Sequence, residues 1–168
     1  RIITALEIKE PDCVPLYIHG INEGPIIGIG KHLTDSLPEP QDFRLMNDTD
    51  KLKLVDTLFM IHEAFDIDGI TTFEIGHETR VDDLHVKDGF GVIYKLSEHG
   101  IPVPVGHPVK TVDDLKKFKP PLPREEDLGL LDLAIDRFKG QKASFWLMRC
   151  SFVRSWRLMG MTNFMMNL

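Results

Sequence analysis

A chain of 168 residues with 42% hydrophobic content can bury one domain-sized core. Its 26 acidic against 20 basic residues leave a formal charge of −6, which argues against a nucleic-acid binder, since phosphate contacts need clustered Lys and Arg. Two distant cysteines, Cys13 and Cys150, and no CxxC give no disulfide framework and fit a reducing compartment.

No apolar run reaches the roughly 18 residues of a membrane span, and no signal-peptide pattern opens the chain, so a cytoplasmic protein is expected. Because the first residue is Arg1, the natural N-terminus is expected to precede it.

In chain order, residues 2–9 read as the end of a helix with Ile2, Ile3 and Leu6 on one face, stopped by Pro11. "CVPLYI" reads as a short buried strand, and residues 24–49, rich in Gly, Pro, Asp and Asn, as loop with room for one short turn of helix. "DKLKLVDTLFMIHEAFD" spaces Leu54, Leu58, Ile61 and Phe65 for a helix capped by Asp50. "DGITTFE" is a strand of β-branched and aromatic residues.

Residues 76–89 are polar and irregular. "FGVIYKLSEHGIPVPVG" predicts a hairpin turning around Ser97–Gly100, with His99 and, beyond its second arm, His107 facing solvent. "TVDDLKKF" carries a capping box, Thr111 to Asp114, and "KPPLP" breaks that helix. The next helix places Leu128, Leu131, Ile135 and Phe138 on one face and stops at Gly140. "ASFWLM" is a buried strand, "SFVRSWRLMG" a helix, and "TNFMMNL" the start of another.

Apolar strands therefore alternate with helices, the mark of parallel βα units, interrupted by an excursion over 76–123. Three such strands make an incomplete α/β architecture.

Three motif readings fail. "GPIIGIGKHL" has neither the Lys-Ser/Thr of a P-loop nor the third glycine of GxGxxG, so it is expected to be a surface loop. His62-Glu63 and His77-Glu78 are followed by Asp66 and Val81 where HExxH needs histidine. His62 sits on an amphipathic helix, and its expected role is structural.

Strand ends are more informative. His19 follows "PLYI", Glu74 follows "TTF", and Arg149 follows "FWLM". In a parallel array such ends share one rim, where an imidazole, a carboxylate and a guanidinium suit acid–base work or an anionic substrate. His77 and Arg80, just past Glu74, are further candidates for binding substrate. No metal ligand set is assigned.

The segment order resembles the uroporphyrinogen decarboxylase superfamily. "ALEIKEPDCVPLYI" is similar to its opening helix and first strand, "FDIDGITTFE" to its second strand, and "DGFGVIYKLSEHGIPVPVGHPVKTVDDLKKFKPP" to the hairpin and helix of divergent members. "RCSFVRSWRLMG" resembles a later segment.

The resemblance implies the first half of a single (β/α)8 TIM barrel domain over residues 1–168, with an inserted β-hairpin at 76–123. A half barrel would expose an edge and apolar faces, so the chain is expected to be a piece of a longer protein or a subunit that oligomerises or is completed by another chain.

Two departures narrow the implied function. The decarboxylases carry an arginine-rich element after the first strand, where this chain reads "IHGINEG". They also carry an aspartate after the second strand, where this chain offers Glu74.

The resemblance therefore points to the methyltransferase branch, which moves a methyl group between a methyl donor or corrinoid protein and a thiol or corrinoid acceptor. In that setting the strand-end residues His19 and Glu74 are expected to be catalytic, with Arg149, His77 and Arg80 on a small-molecule or corrinoid-protein substrate. No cofactor is implied within this stretch; zinc and corrinoid would belong to the full-length protein. Uroporphyrinogen decarboxylation in porphyrin biosynthesis is the alternative, and a non-catalytic barrel-completing partner is the third reading.

Overall fold

The computed structural model describes residues 1–74, 76, 78–97 and 101–167. The chain begins with α1 (Ile2–Leu6), α2 (Glu23–Gly30), a short 3-10 turn at Phe43–Leu45, α3 (Asp48–Ala64) and β1 (Gly69–Phe73). Four short strands follow, β2 (Thr79–Arg80), β3 (His85–Lys87), β4 (Ile93–Lys95) and β5 (Val103–Gly106). Next come α4 (Val112–Lys117), α5 (Gly129–Phe138), β6 (Ala143–Leu147), α6 (Ser151–Met159) and α7 (Met161–Met166). The result is a mixed α/β protein with one parallel and one antiparallel sheet, and no barrel closes among the described residues. No described helix is long and apolar enough to cross a membrane.

Two compact units form, one from residues 1–74 and 128–147, the other from 75–127 and 148–168. The expected excursion over 76–123 lies in the second unit, which also takes in α6 and α7.

In the first unit β1 and β6 pair in parallel, Gly69 opposite Ala143 and Phe73 opposite Leu147. The expected strand "CVPLYI" is reduced to a single parallel bridge between Tyr17 and Gly69. The cause is local: Pro15 has no N–H to give, and the Leu16 N–H is taken by the Asp68 carboxylate at 2.8 Å instead of a ladder carbonyl. The segment still runs parallel to β1, so three stretches of chain lie side by side.

The glycine-rich stretch is helix α2, not the expected loop. Asn22 adopts the extended conformation of an N-cap, and Pro25 falls in the first turn, where a missing N–H costs nothing. Ile26 and Ile27 are buried, and a Cβ on Gly30 would stand 2.5 Å from Thr57 Cγ2 on α3. Gly30 thus serves close packing of two helices. Ile26, Ile27, Met46, Leu54, Ile61 and Ile67 form one core cluster.

Helix α3 starts earlier than expected, because Asn47 is its cap: its side-chain oxygen accepts the Asp50 N–H at 2.9 Å. Of the expected face, Leu54 and Ile61 are buried and Phe65, the C-cap, is exposed. Helix α1 ends well before Pro11, with Ile8 in the left-handed region at φ 58°. Helix α5 buries Leu130, Ala134 and Phe138, an i, i+4 row, while Leu128 and Ile135 of the expected face are exposed. β6 is only half buried, since it has one ladder partner among the described residues.

In the second unit β2–β3–β4–β5 form an antiparallel meander. The expected hairpin is its last two strands, Lys95 opposite Val103, and the turn at Glu98, His99 and Gly100 lies outside the described residues. The stretch expected to be irregular supplies β2 and β3, strands of two and three residues, too short to show periodicity. The capping box of α4 forms as expected, the Thr111 hydroxyl accepting the Asp114 N–H.

Candidate functional site

Alternation along the parallel stretches puts Gly69, Thr71 and Phe73 of β1 on one face, with Ala143, Phe145 and Leu147 of β6 beside them. Tyr17 joins this face, its ring 4.5 Å from that of Phe145. The approach is close enough that a Cβ on Gly69 would stand 2.8 Å from both Ile2 Cδ1 and Phe145 Cε2 and 3.0 Å from Tyr17 Cδ2. The opposite face, Ile70 and Thr72, is buried, and Thr72 donates to the Phe145 carbonyl.

The polar groups of the open face form a short chain. Tyr17 Oη and Thr71 Oγ1 are 2.6 Å apart, and His19 Nδ1 lies 3.4 Å from the same phenol oxygen. The imidazole is exposed, and Tyr17 touches it edge-on at a ring separation of 6.4 Å. Such a chain can hold one ring orientation of His19 and share a proton with it. Around it Tyr17, Phe73 and Leu147 are each about 40% exposed (39%, 40% and 43%), an apolar surface bordering the polar chain.

The other end of β1 differs in kind. Arg1 pairs with Asp12, Asp66 and Asp68 at 3.1, 2.6 and 3.1 Å. Hydrogen bonding to Arg1 holds the Asp12 and Asp66 carboxyls below their ordinary range and raises Arg1 in turn. These charges neutralise one another where the strand enters, which reads as a structural clamp.

His19 and Glu74 both belong to the first unit, Glu74 exposed immediately after β1. Arg149 and Arg80 belong to the second unit. Arg149 is exposed just ahead of α6, and Arg80 Nη2 is bound to Asp83 Oδ1 at 2.7 Å. His77 lies outside the described residues.

Tyr17 and Thr71 were missed from sequence, although Tyr17 and His19 stand two apart, the spacing that shares a strand face. His62, expected to be structural, is 2% exposed and donates Nδ1–H to the Leu58 carbonyl at 2.8 Å. Burial lowers its pKa.

No three His, Cys, Asp or Glu side chains gather as a metal site among the described residues. Cys13 and Cys150 are exposed and lie in different units. No family model, curated protein or solved structure matches the chain.

Proposed function

We propose that this chain is part of a (β/α)8 barrel of the uroporphyrinogen decarboxylase superfamily, of the type that moves a methyl group between a methyl donor or corrinoid and a thiol or corrinoid acceptor. The observation that supports it most is the hydrogen-bonded chain Thr71–Tyr17–His19 on the open face of parallel stretches. Parallel arrays carry their chemistry where strands exit. The absence of arginine between His19 and Gly30 favours this branch over the decarboxylases, which bind substrate carboxylates there.

In this reading Tyr17 orients the His19 imidazole, which moves a proton to or from the acceptor, and Glu74 supplies negative charge at the exit of β1. Tyr17, Phe73 and Leu147 offer apolar contact to a flat macrocycle on a partner corrinoid protein, which would supply the methyl group. No zinc role falls to these residues. The half-buried edge of β6 is where another stretch of barrel would pair, from this polypeptide or a second chain.

The test is methyl transfer from methylcobalamin to 2-mercaptoethanesulfonate by the natural polypeptide. His19→Ala and Glu74→Ala should each lower kcat/KM at least about 10-fold, ~1.4 kcal/mol in the barrier, with melting temperature retained. Carbon dioxide release from uroporphyrinogen instead would establish the decarboxylase reading. Indifference of both activities to both substitutions would leave a non-catalytic barrel partner.

A further inference from the structure

We propose that the second unit holds a binding site for a small organic carboxylate, in the cavity walled by β4, β5 and the α6–α7 junction. The cavity measures about 550 Å³, within the range of small-molecule sites. Ile93, Val105 and Met159 provide apolar wall, and His107, Lys110 and Asn163 the polar groups.

Charge selects the ligand. The chain as a whole carries −6, yet no Asp or Glu lines this cavity among the described residues. The nearby carboxylates are already engaged. Asp114 accepts from the Lys110 and Thr111 backbones and the Thr111 hydroxyl. Asp88 accepts from the Phe90 and Val92 backbones and the Tyr94 hydroxyl. The Lys110 ammonium is left with no ion pair among the described residues. Lys110 is an exposed residue of the lining, so its ammonium meets an anion entering from solvent, with the apolar wall beside it for the rest of the ligand.

The polar wall is held in place. His107 donates Nδ1–H to the Arg157 carbonyl at 2.7 Å, so only Nε2 is left to meet an occupant. Its ring lies against Gly160, where an added Cβ would stand 3.0 Å from Cδ2. The Val109 N–H donates to the Leu158 carbonyl at 3.0 Å, and Asn163 Nδ2 to the Lys110 carbonyl at 3.3 Å. Three hydrogen bonds thus tie the segment that carries Lys110 to the helices behind it. Apolar walls beside one cation suit a carboxylate on an apolar body better than a bare inorganic ion.

The probe is 2-naphthoate, titrated into the full chain and followed by backbone amide chemical shifts, with 2-naphthamide as the neutral counterpart. Binding with Kd below ~1 mM is expected, with shifts concentrated at residues 106–110 and 159–163 and the amide at least about 10-fold weaker. Lys110→Gln should bring naphthoate down to the amide's affinity, and Lys110→Arg should keep most of it. Lys110 is exposed and its ammonium has no hydrogen bond or ion pair among the described residues, so unchanged melting temperatures are expected and verify that both variants fold. Equal affinity for acid and amide, shifts centred elsewhere, or indifference to Lys110→Gln would each overturn the proposal.

Discussion

Tyr17 Oη and Thr71 Oγ1 stand 2.6 Å apart, and this contact joins the opening segment of the chain to β1 where the backbone ladder has shrunk to one bridge. The bond does two things at once. It fastens a segment that prolines keep out of regular pairing, and it fixes the phenol that reaches His19.

Tyr17→Phe and Thr71→Val should each cost about 0.5–1.5 kcal/mol in urea unfolding, the ordinary worth of one hydrogen bond. The double variant should cost less than the sum, by ~0.5 kcal/mol or more. Strict additivity would mean the contact carries no energy.

Gly69→Ala places a methyl group against Ile2, Phe145 and Tyr17 at 2.8, 2.8 and 3.0 Å. Overpacking of this kind costs about 1–3 kcal/mol and should lower the melting temperature. Adding Ile2→Ala removes one of the three collisions and should recover part of the loss. No recovery would show that the aromatic contacts set the cost.

His62 supplies a pH dependence of known sign. Burial holds its imidazole neutral, with the Lys142 charge acting the same way and the Leu58 carbonyl opposing both. Its folded pKa thus lies below the unfolded value of about 6.5, and the unfolded chain binds the extra proton first. Its contribution to stability is complete above that value and is lost progressively as pH falls below it. Unfolding free energies compared at pH 7.5 and 5 should show the loss, and His62→Leu should flatten that part of the profile. An unchanged profile in the variant would assign the acid sensitivity to other groups.

The α4 capping box can be tested singly. Thr111→Val removes the hydroxyl that accepts the Asp114 N–H at 3.1 Å and should cost about 0.5–2 kcal/mol in the stability of the second unit. Because Lys110 adjoins this cap, the same variant should also broaden the Lys110 amide resonance. Thr111→Ser should restore both.

Elements whose signal lies within their own residues were legible in the sequence. The spacing of Leu54 and Ile61 found α3, and Thr111 with Asp114 found the box of α4. What escaped depends on a distant partner. Gly24, Gly28 and Gly30 lower helix propensity, and burial of Ile26 and Ile27, with Gly30 close against Thr57, offsets that cost. "CVPLYI" has strand composition, but the Asp68 side chain competes for its backbone donor. At the site, Glu74 was legible as the residue that follows β1, although the segment ahead of His19 keeps only the bridge at Tyr17. Tyr17 and Thr71 were not, since a phenol and a hydroxyl on separate segments declare themselves only once the segments meet. The face of α5 was misjudged because Leu128 and Ile135 are as apolar as Leu130; the sheet behind them, not composition, decides which leucine is buried.

The chain leaves the first unit after Glu74, returns at Leu128, and only then lays β6 beside β1. Registering Gly69 with Ala143 therefore requires closing a loop that contains the whole 75–127 segment. Closure entropy grows only with the logarithm of loop length, so doubling that segment would add merely ~0.6 kcal/mol. The kinetic consequence is larger: the parallel pair is a non-local contact, and its formation is a slow event in folding. The exit of β1 is thus a place where length can be gained or lost at little equilibrium cost, while the time needed to find β6 is set by what the insertion does first.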